Sequence, residues 1–386
     1  MIDSPPKLGF TDEQEELRRS VRRFLDDTSP MAEVRRLMDT AEGCDPAVWG
    51  RMAGQLGLQG IHVPEALGGA GLGHVELCVV LEEMGRSLAC VPYFATVGLA
   101  VNSLLASGDE AAQRDLLPRL ASGEATGTLA VLEAVGSWDL DAVATRARRD
   151  AAGGWVLDGT KHFVVDGHTA GVLLVAARAP GGLSVFAVEG GAPGLERVPV
   201  PQLDETRKLA LVELSGTPAR MVGEEGGAAS WLPRALDLAA VALAAEQVGG
   251  AQRCLDMSVG YAKVRHQFGR PIGAFQAIKH RCADMLLRVE SARAAAYYAA
   301  WAAAEGSDDL PAVASLARAY CSEAFTWVAG ETIQVHGGIG FTWEHDLHLF
   351  LKRAQLDQVT FGDAAFHRER LAGLLRPRVE AGESVL

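Results

Sequence analysis

The sequence predicts a mixed fold in which helices dominate and one β domain occupies the middle of the chain. Helical periodicity covers residues 11 to about 120, and long Ala-rich helical stretches return after about 229. From about 128 to 225 the pattern changes to short runs rich in Val and Leu, separated by Gly and Pro. We therefore expect an α+β protein, mostly α, with domains at 1–125, 126–226 and 227–386.

The N-terminal domain is predicted to be helical. Thr11 is followed by acidic residues, as at a helix cap, and Leu17, Val21 and Phe24 then recur at helical spacing. Further helical patterns follow, and a Gly-rich loop at 64–71 separates the first of them from the second. These patterns cover 46–58, 74–87 and 95–106.

The central domain contains five runs that are predicted to be strands, because each is short, apolar and bounded by turn residues. Strands at this spacing, with no helices between them, are typical of an antiparallel barrel or sandwich. The runs are 155–157, 163–165, 172–175, 183–188 and 209–214.

The C-terminal domain is predicted to be a helical bundle. One helical pattern covers 231–261 and has no breaker except the pair Gly249-Gly250. Two more, over 274–304 and 310–335, are Ala-rich and apolar over much of their circumference. Helices of this kind pack mainly against other helices.

Bulk composition limits the classes of protein that fit. The 386 residues carry a net charge of −13, which disfavours nonspecific binding to nucleic acid. No run of about eighteen apolar residues lacks a charge, so a membrane span is not expected. The six cysteines show no CxxC, and residues 1–6 lack the basic flank and apolar run of a signal peptide. We expect a reduced, cytoplasmic protein.

Several common site types lack support in the sequence. His345 and His348 stand three apart on a charged segment, but no HExxH occurs and nothing distant matches them. A solvated helix start explains this segment better, and we predict no metal site. The Gly-rich pieces 68–73 and 337–340 do not fit GxGxxG, and neither GxSxG nor a P-loop occurs.

Two C-terminal segments carry the strongest functional signal. Residues 261–276 read Tyr-Ala-Lys-Val-Arg-His-Gln-Phe-Gly-Arg-Pro-Ile-Gly-Ala-Phe-Gln, and residues 334–342 read Gln-Val-His-Gly-Gly-Ile-Gly-Phe-Thr. An isolated arginine such as Arg265, at the end of a helix, usually only opposes the helix dipole. Its planar guanidinium also suits phosphate. Glycines such as Gly337 and Gly338 let backbone amides approach a phosphate or an adenine.

Together these segments resemble the C-terminal flavin signatures of the acyl-CoA dehydrogenase family, and the resemblance covers nearly the whole chain in family order. It implies the family fold, with an N-terminal helical domain, a central antiparallel β domain and a C-terminal four-helix bundle. It also implies FAD as cofactor, an acyl-CoA thioester as substrate and an electron-transferring flavoprotein as the default acceptor. In the family a carboxylate removes the α-proton while hydride leaves the β-carbon for the flavin.

The resemblance assigns both segments to the FAD of a neighbouring subunit. In the family, the arginine and glutamine of the first segment reach across the subunit interface to the pyrophosphate. The second segment contacts the adenosine. The cofactor-binding residues that carry over to this chain are Arg265, Gln267, Phe268, Gln276, Gln334, Gly337 and Gly338.

The catalytic base of the family is missing from both positions that can hold it. Counting on from the second segment places one position at Phe361, and counting back from Arg265 along the preceding helix places the other at Ala239. Neither side chain accepts a proton. Two carboxylates considered as substitutes are Asp363 and Glu246, and each would need a shifted register to serve.

The residues that would cradle this chain's own flavin also depart from the family. Leu132 stands where the family has a threonine that hydrogen-bonds the flavin ring, and 163–165 replace a Trp-x-Thr segment with Phe-Val-Val. Each change loses a hydrogen bond, typically about 1 kcal/mol. We therefore expect the base-lacking subunit of an α2β2 acyl-CoA dehydrogenase, which completes a partner's FAD site. Two alternatives stay open: a homomeric enzyme with a relocated base, and a non-catalytic scaffold or regulatory protein.

Overall fold

The structure, a computed structural model, describes residues 9–382. The chain forms two compact units, each drawn from more than one stretch of sequence. The first, called here the helical unit, comprises the chain up to Val34, His74–Ala89 and the chain from Ala240 onward. The second, the barrel unit, comprises Arg35–Gly73 and Cys90–Ala239. Residues 1–6, which the sequence analysis does not predict to be a signal peptide, lie outside the described residues.

Helices account for most of the regular structure. Within residues 9–382 the α-helices are α1 (Asp12–Thr28), α2 (Met31–Met38), α3 (Pro46–Leu56), α4 (His74–Ser87), α5 (Asn102–Ser107), α6 (Glu110–Ala121), α7 (Ala228–Val264), α8 (Gln276–Ala304), α9 (Leu310–His336), α10 (Leu347–Val359) and α11 (Ala364–Glu380). A π-helix over Phe94–Val101 leads into α5. It replaces the first part of the helix predicted at 95–106.

The strands lie mainly in the middle of the chain. They are β1 (Gly127–Ala130), β2 (Arg146–Arg149), β3 (Trp155–Val165), β4 (Val172–Ala179), β5 (Gly182–Glu189), β6 (Leu195–Pro199), β7 (Leu209–Val222), β8 (His266–Gln267) and β9 (Arg270–Pro271). The runs predicted at 155–157 and 163–165 are two parts of β3, which keeps pairing with β7 across register shifts that follow Leu157 and Lys161. A bulge keeps such a strand continuous although its apolar pattern is interrupted.

Five of the central strands close into a barrel. β2, β3, β7, β5 and β4 pair in that order, and β4 pairs back with β2. β1 adds to β4, and β6 adds to β7. The expected antiparallel arrangement holds for most pairs, but β1 and β2 run parallel to β4. Neither strand is joined to β4 by a hairpin, and only hairpins force neighbouring strands to be antiparallel.

Side chains from these strands fill the barrel. Leu157, Val175 and Val212 are completely buried, and the ring of Trp155 meets Phe186 edge-on with 5.3 Å between ring centroids. Aromatic and branched side chains on facing strands stabilise such a sheet through these cross-strand contacts. The barrel interior is therefore a packed core.

In the helical unit, a buried ionic network joins three helices. Arg18 on α1 donates a hydrogen bond to the carboxylate of Glu82 on α4 at 2.7 Å, and the Tyr297 hydroxyl on α8 donates to the same carboxylate at 2.5 Å. Arg293 on α8 also pairs with Glu82. Because Glu82 is only 3% exposed, its charge needs these partners.

The Gly249-Gly250 pair does not break α7; it lets the helix approach its neighbours. A Cβ on Gly249 would lie 1.8 Å from the Glu82 carbonyl oxygen on α4, and one on Gly250 would lie 2.4 Å from the Phe325 ring on α9. On α4, a Cβ on Gly85 would lie 1.9 Å from the Glu246 carbonyl oxygen. The two helices therefore cross with backbone against backbone.

One helix has the length and apolar composition of a membrane span. This is α7, and 72% of its most apolar window is buried inside the structure. A buried core helix of a soluble protein has the same composition. No other helix within residues 9–382 meets both criteria.

Gly249→Ala should destabilise the fold. The added methyl would overlap the α4 backbone, so we expect the free energy of unfolding to fall by about 2 kcal/mol or more. Gly260→Ala is the matched control in the same helix, because a Cβ there has nothing within 4 Å. The control should raise the free energy of unfolding by about 0.5–1 kcal/mol. Urea unfolding of both variants tests this, and equal effects would contradict the close crossing.

Candidate functional site

The first flavin-type segment forms an exposed hairpin directly after α7, called here the arm (residues 265–271). Its two short strands, β8 and β9, pair antiparallel. Phe268 at the tip has a φ of +52°, and its side chain is 91% exposed. A non-glycine residue in this region is strained, and an exposed phenyl ring gains nothing from the core. Strain and exposure together favour a contact surface for another molecule.

The polar side chains of the arm are available to a ligand. Arg265 is exposed and forms no ion pair with any residue in the range 9–382. The Gln267 side chain donates only to the carbonyl of its neighbour His266, at 2.8 Å. Gln276 is exposed at the start of α8. By contrast, Arg270 stacks on the Phe275 ring, with its guanidinium carbon 4.3 Å from the ring centroid.

The second segment ends α9 and leaves the helix through glycine. Gln334 is exposed, and Gly337 has a φ of +64°, which glycine adopts without strain. Nothing lies within 4 Å of the position that a Cβ would occupy on Gly337 or on Gly338. Open space over this backbone is what close approach of a nucleotide requires.

His336 brings the second segment to the base of the arm. Its ring stacks on the Tyr261 ring with 4.3 Å between centroids, and the Tyr261 carbonyl accepts a hydrogen bond from the Arg265 backbone N at 2.9 Å. The two segments, more than sixty residues apart in the sequence, therefore lie next to each other in the helical unit. All seven predicted cofactor-binding residues belong to these two neighbouring segments or to the first turn of α8.

Phe361 lies in a tightly held turn between α10 and α11. It has a φ of +57° and is buried. Its carbonyl is 2.9 Å from His367 Nε2, and the carbonyl of Thr360 accepts from Arg318 Nη2 at 2.7 Å. Arg318, which is fully buried on α9, donates to the carbonyl of Asp357 as well. These side chains fix the turn, although the residue it carries has no proton acceptor.

Glu246 and Asp363, the two carboxylates considered as substitute bases, are already engaged. Glu246 on α7 accepts a hydrogen bond from Arg353 on α10 at 2.9 Å, and both side chains are buried. Asp363 caps α11 by accepting from the Phe366 backbone N at 2.8 Å. Each carboxylate is therefore held by a structural contact, an ion pair for Glu246 and a helix cap for Asp363. Ala239 is completely buried.

Beside Leu132 in the barrel unit, the Glu133 carboxylate is fully committed. It accepts from Lys161 Nζ at 2.6 Å, from Thr145 Oγ1 at 2.7 Å and from the Ala144 backbone N at 2.8 Å. Burial works to raise the pKa of Glu133, but the hydrogen bonds from Lys161 and Thr145 outweigh it and hold the pKa at about 2. The ion pair between Glu133 and Lys161 therefore fixes the loop that follows β1 against strand β3.

The segment 163–165 offers no hydroxyl group. Val164 and Val165 are buried, whereas Phe163 is 51% exposed with a φ of +52°. The His162 backbone N donates to the Leu132 carbonyl at 2.9 Å, so Leu132 and Phe163 lie close together. Within the barrel unit, the two positions that the resemblance assigns to this chain's own flavin therefore present hydrocarbon side chains. A flavin ring's polar atoms gain no hydrogen bond from them.

Three family models match the chain along its length. The acyl-CoA dehydrogenase N-terminal domain matches residues 11–124, the middle domain 128–215 and the C-terminal domain 228–375. The chain belongs to the acyl-CoA dehydrogenase family. The predicted fold is thereby confirmed, as is FAD, which is the cofactor of the family. The family consists of oxidoreductases, but residue-level roles in this chain stay predictions.

Relatives and solved structures support the same assignment. Acyl-CoA dehydrogenase IpdE2 of Mycobacterium tuberculosis is 37% identical over 343 residues, covering 89% of this chain and 91% of that protein. IpdE2 of Mycolicibacterium smegmatis is 34% identical over 346 residues, covering 89% and 93%. The Tcur3481-Tcur3483 steroid ACAD is 35% identical with a TM-score of 0.86, covering 96% and 99%. The ChsE4-ChsE5 complex of Mycobacterium tuberculosis is 29% identical with a TM-score of 0.87, covering 96% and 99%.

The exposed groups of the helical unit fit parts of FAD. The uncommitted guanidinium of Arg265 suits the pyrophosphate, and the open backbone at Gly337 and Gly338 suits the adenosine. Sequence reasoning missed Arg318, His367 and the stack of Tyr261 on His336. Arg318 and His367 act on Phe361 through its backbone, and backbone partners leave no pattern in a single sequence.

The His367 contact predicts a pH dependence of stability. Burial, with help from the nearby Arg318 charge, lowers the pKa of His367 to about 4. Between the ordinary histidine pKa of about 6.5 and about 4, the unfolded chain binds a proton that the folded chain does not. Folding stability therefore falls as the pH drops through this window. The loss from this group between pH 7 and pH 5 should be about 2 kcal/mol.

His367→Gln provides the comparison. Glutamine can place an N–H near the Nε2 position and does not titrate. Urea unfolding at pH 7 and pH 5 should show a smaller loss in the variant than in the wild-type chain. If the free energy of unfolding falls equally in the two proteins, protonation of His367 is not coupled to unfolding.

Proposed function

We propose that this chain is the base-lacking subunit of a heteromeric, FAD-dependent acyl-CoA dehydrogenase and completes the FAD site of a partner subunit. One contrast carries the proposal. The groups suited to another subunit's FAD are exposed and uncommitted, whereas the positions suited to this chain's own catalysis hold Phe361, Ala239 and Leu132. A homomeric enzyme needs both sets in the same chain.

The arm supports the first half of this contrast. Arg265 and Gln267 stand on a two-stranded projection whose tip residue, Phe268, is almost fully exposed. A projection of this kind reaches beyond its own chain. When bound to a partner's cofactor, Arg265 would neutralise pyrophosphate charge through bidentate hydrogen bonds, and Gln267 would add a neutral donor.

The missing base supports the second half. Dehydrogenation of an acyl-CoA thioester needs a proton acceptor within hydrogen-bond reach of the α-carbon. Asp363 and Glu246 are held by a helix cap and by Arg353, so neither is placed as a substitute. We infer that the partner supplies the carboxylate and binds the acyl-CoA. FAD, when bound, accepts the hydride from the β-carbon.

The names of two solved relatives agree with a two-chain enzyme. ChsE4-ChsE5 is named as a complex, and the Tcur3481-Tcur3483 steroid ACAD is named for two proteins. For this chain we propose a partner of the same family that retains a carboxylate at one of the two base positions. The proposal places the working enzyme in the cytoplasm, with an electron-transferring flavoprotein as acceptor and an α2β2 assembly.

Flavin content should distinguish the proposal from its alternatives. Purified alone, the chain should carry little FAD and should not oxidise a panel of acyl-CoA thioesters with an artificial electron acceptor. Co-expressed with a family member that retains the base, it should copurify in equal amount with bound FAD and activity. Flavin and turnover in the chain alone would favour a homomeric enzyme with a relocated base. Flavin in neither sample would favour a scaffold or regulatory protein.

Arg265→Ala should weaken FAD binding in the assembled complex without unfolding the chain. A charge-assisted contact of this kind contributes roughly 1.5–3 kcal/mol, so the dissociation constant should rise about tenfold to a hundredfold. Arg368→Ala is the control, since Arg368 is an exposed arginine of the helical unit that pairs with Glu323 at 2.5 Å. Fluorescence titration of the deflavinated complex with FAD measures both. Equal affinity in the two variants would leave Arg265 as a helix-end charge only.

A further inference from the structure

We propose that His336 is a positioning residue that holds the two FAD-facing segments at a fixed separation. The inference rests on the function proposed above and adds to it a residue that need not touch the cofactor. His336 is the last residue of α9, directly before Gly337, and it is buried. It belongs to the second segment and packs against Tyr261 near the end of α7, where the arm begins.

Three contacts fix the His336 ring. It stacks on Tyr261 with 4.3 Å between centroids and 23° between ring planes. On another side it meets the His345 ring edge-on at 5.0 Å. Its Nδ1 lies 2.8 Å from the Thr332 carbonyl, which assigns the proton to Nδ1 because a carbonyl can only accept. Burial lowers the pKa of His336, so the ring is neutral at pH 7.

The contacts connect the two segments mechanically. Tyr261 lies one helical turn before Arg265, and its carbonyl accepts from the Arg265 backbone N at 2.9 Å. On the other side, a Cβ on Gly340 would lie 3.0 Å from the His336 Cβ, so the loop after α9 packs directly on this residue. His336 is therefore the shared neighbour of the arm's base and of the glycine loop.

A shared neighbour matters because the pyrophosphate and the adenosine of FAD are covalently joined. A protein that binds both halves has to keep its two contact segments at one separation. If they move independently, binding has to order them, and that ordering weakens affinity although no direct contact is lost. A stacked aromatic pair contributes enough energy to hold them, and its loss corresponds to about a threefold to tenfold change in affinity.

Two substitutions separate the ring from its hydrogen bond. His336→Asn keeps a donor near the Nδ1 position and removes the ring. His336→Phe keeps a ring that can stack on Tyr261 and removes the donor. If His336 acts by stacking, Asn should raise the FAD dissociation constant of the complex about threefold to tenfold, and Phe should stay close to the wild-type value. His348→Asn is the control, because His348 also stacks on an aromatic ring, that of Trp343 at 4.6 Å, and not on Tyr261.

The tests are FAD titration of the deflavinated complex, hydrogen exchange of the chain alone and urea unfolding. His336→Asn should speed exchange at 265–271 and at 337–341, and His348→Asn should not. A purely structural histidine would lower the unfolding midpoint and leave FAD affinity and arm exchange unchanged, which would overturn the proposal. If His336→Asn does not fold, Tyr261→Leu breaks the same stack from the other side and should give the same two effects.

The outcome for Arg265→Ala keeps this inference separate from the function on which it rests. If Arg265→Ala weakens FAD binding and neither His336→Asn nor Tyr261→Leu does, the positioning role is wrong and the proposed function stands. If Arg265→Ala has no effect, the proposed pyrophosphate contact is wrong, and the flavin content of the chain alone and of the complex decides the proposed function. If the His336 and Tyr261 variants weaken FAD binding to the same degree singly and together, the two rings act as one unit, as the stack requires.

Discussion

The exposure of the arm is the physical constraint on which the proposed function depends. Arg265 and Gln267 project from the end of α7 with no acidic partner among the described residues, and Phe268 at the tip is strained and exposed. Groups of this kind are costly to a chain on its own, because they neither fill its core nor neutralise its charges. They become useful when a second subunit brings an anionic, partly aromatic ligand to them.

At the turn that carries Phe361, the backbone conformation is held by contacts that do not involve the side chain at 361. Arg318 and His367 hold the carbonyls of Thr360 and Phe361, and the left-handed backbone at Phe361 persists although phenylalanine favours other conformations. Arg318 and His367 bond to backbone carbonyls of this turn and of the end of α10, and not to the side chain at 361. These contacts to the turn therefore do not depend on which side chain stands at 361.

Much of the fold followed from the sequence because local patterns determine it. Helical spacing gave α4 its observed limits and placed α8 and α9 to within two residues. The parallel pairing of β1 with β4 did not follow, because it joins strands that are far apart in the chain and no turn signal marks it. The sequence marked the glycines at 249 and 250 only as a breaker within one helical pattern, since a single sequence does not show the α4 backbone and the Phe325 ring packed against them.

For the candidate site, the sequence identified which residues could bind the cofactor, but only the structure shows which of them lie next to each other. Arg265 and Gly337 were found by motif, but only the structure connects them, through Tyr261 and His336. The same limit applies in the barrel unit, where Glu133 follows Leu132 in a segment that resembles a flavin cradle. In the structure, its carboxylate accepts hydrogen bonds from Lys161 and Thr145.

The contacts of Glu133, Arg318 and His367 suggest which residues of a subunit can change without loss of its fold. A buried pair such as Glu133 and Lys161 is strongly destabilising to break, because it leaves an unpaired charge. Replacing a hydroxyl that faces a cofactor by a leucine carries no such cost once that cofactor is bound elsewhere. Under the proposed function, selection for a stable fold keeps Glu133, Arg318 and His367 but tolerates apolar side chains at Leu132 and Phe361. Under the proposed function, Arg265 and Gln267 are retained because they bind the FAD of a partner subunit.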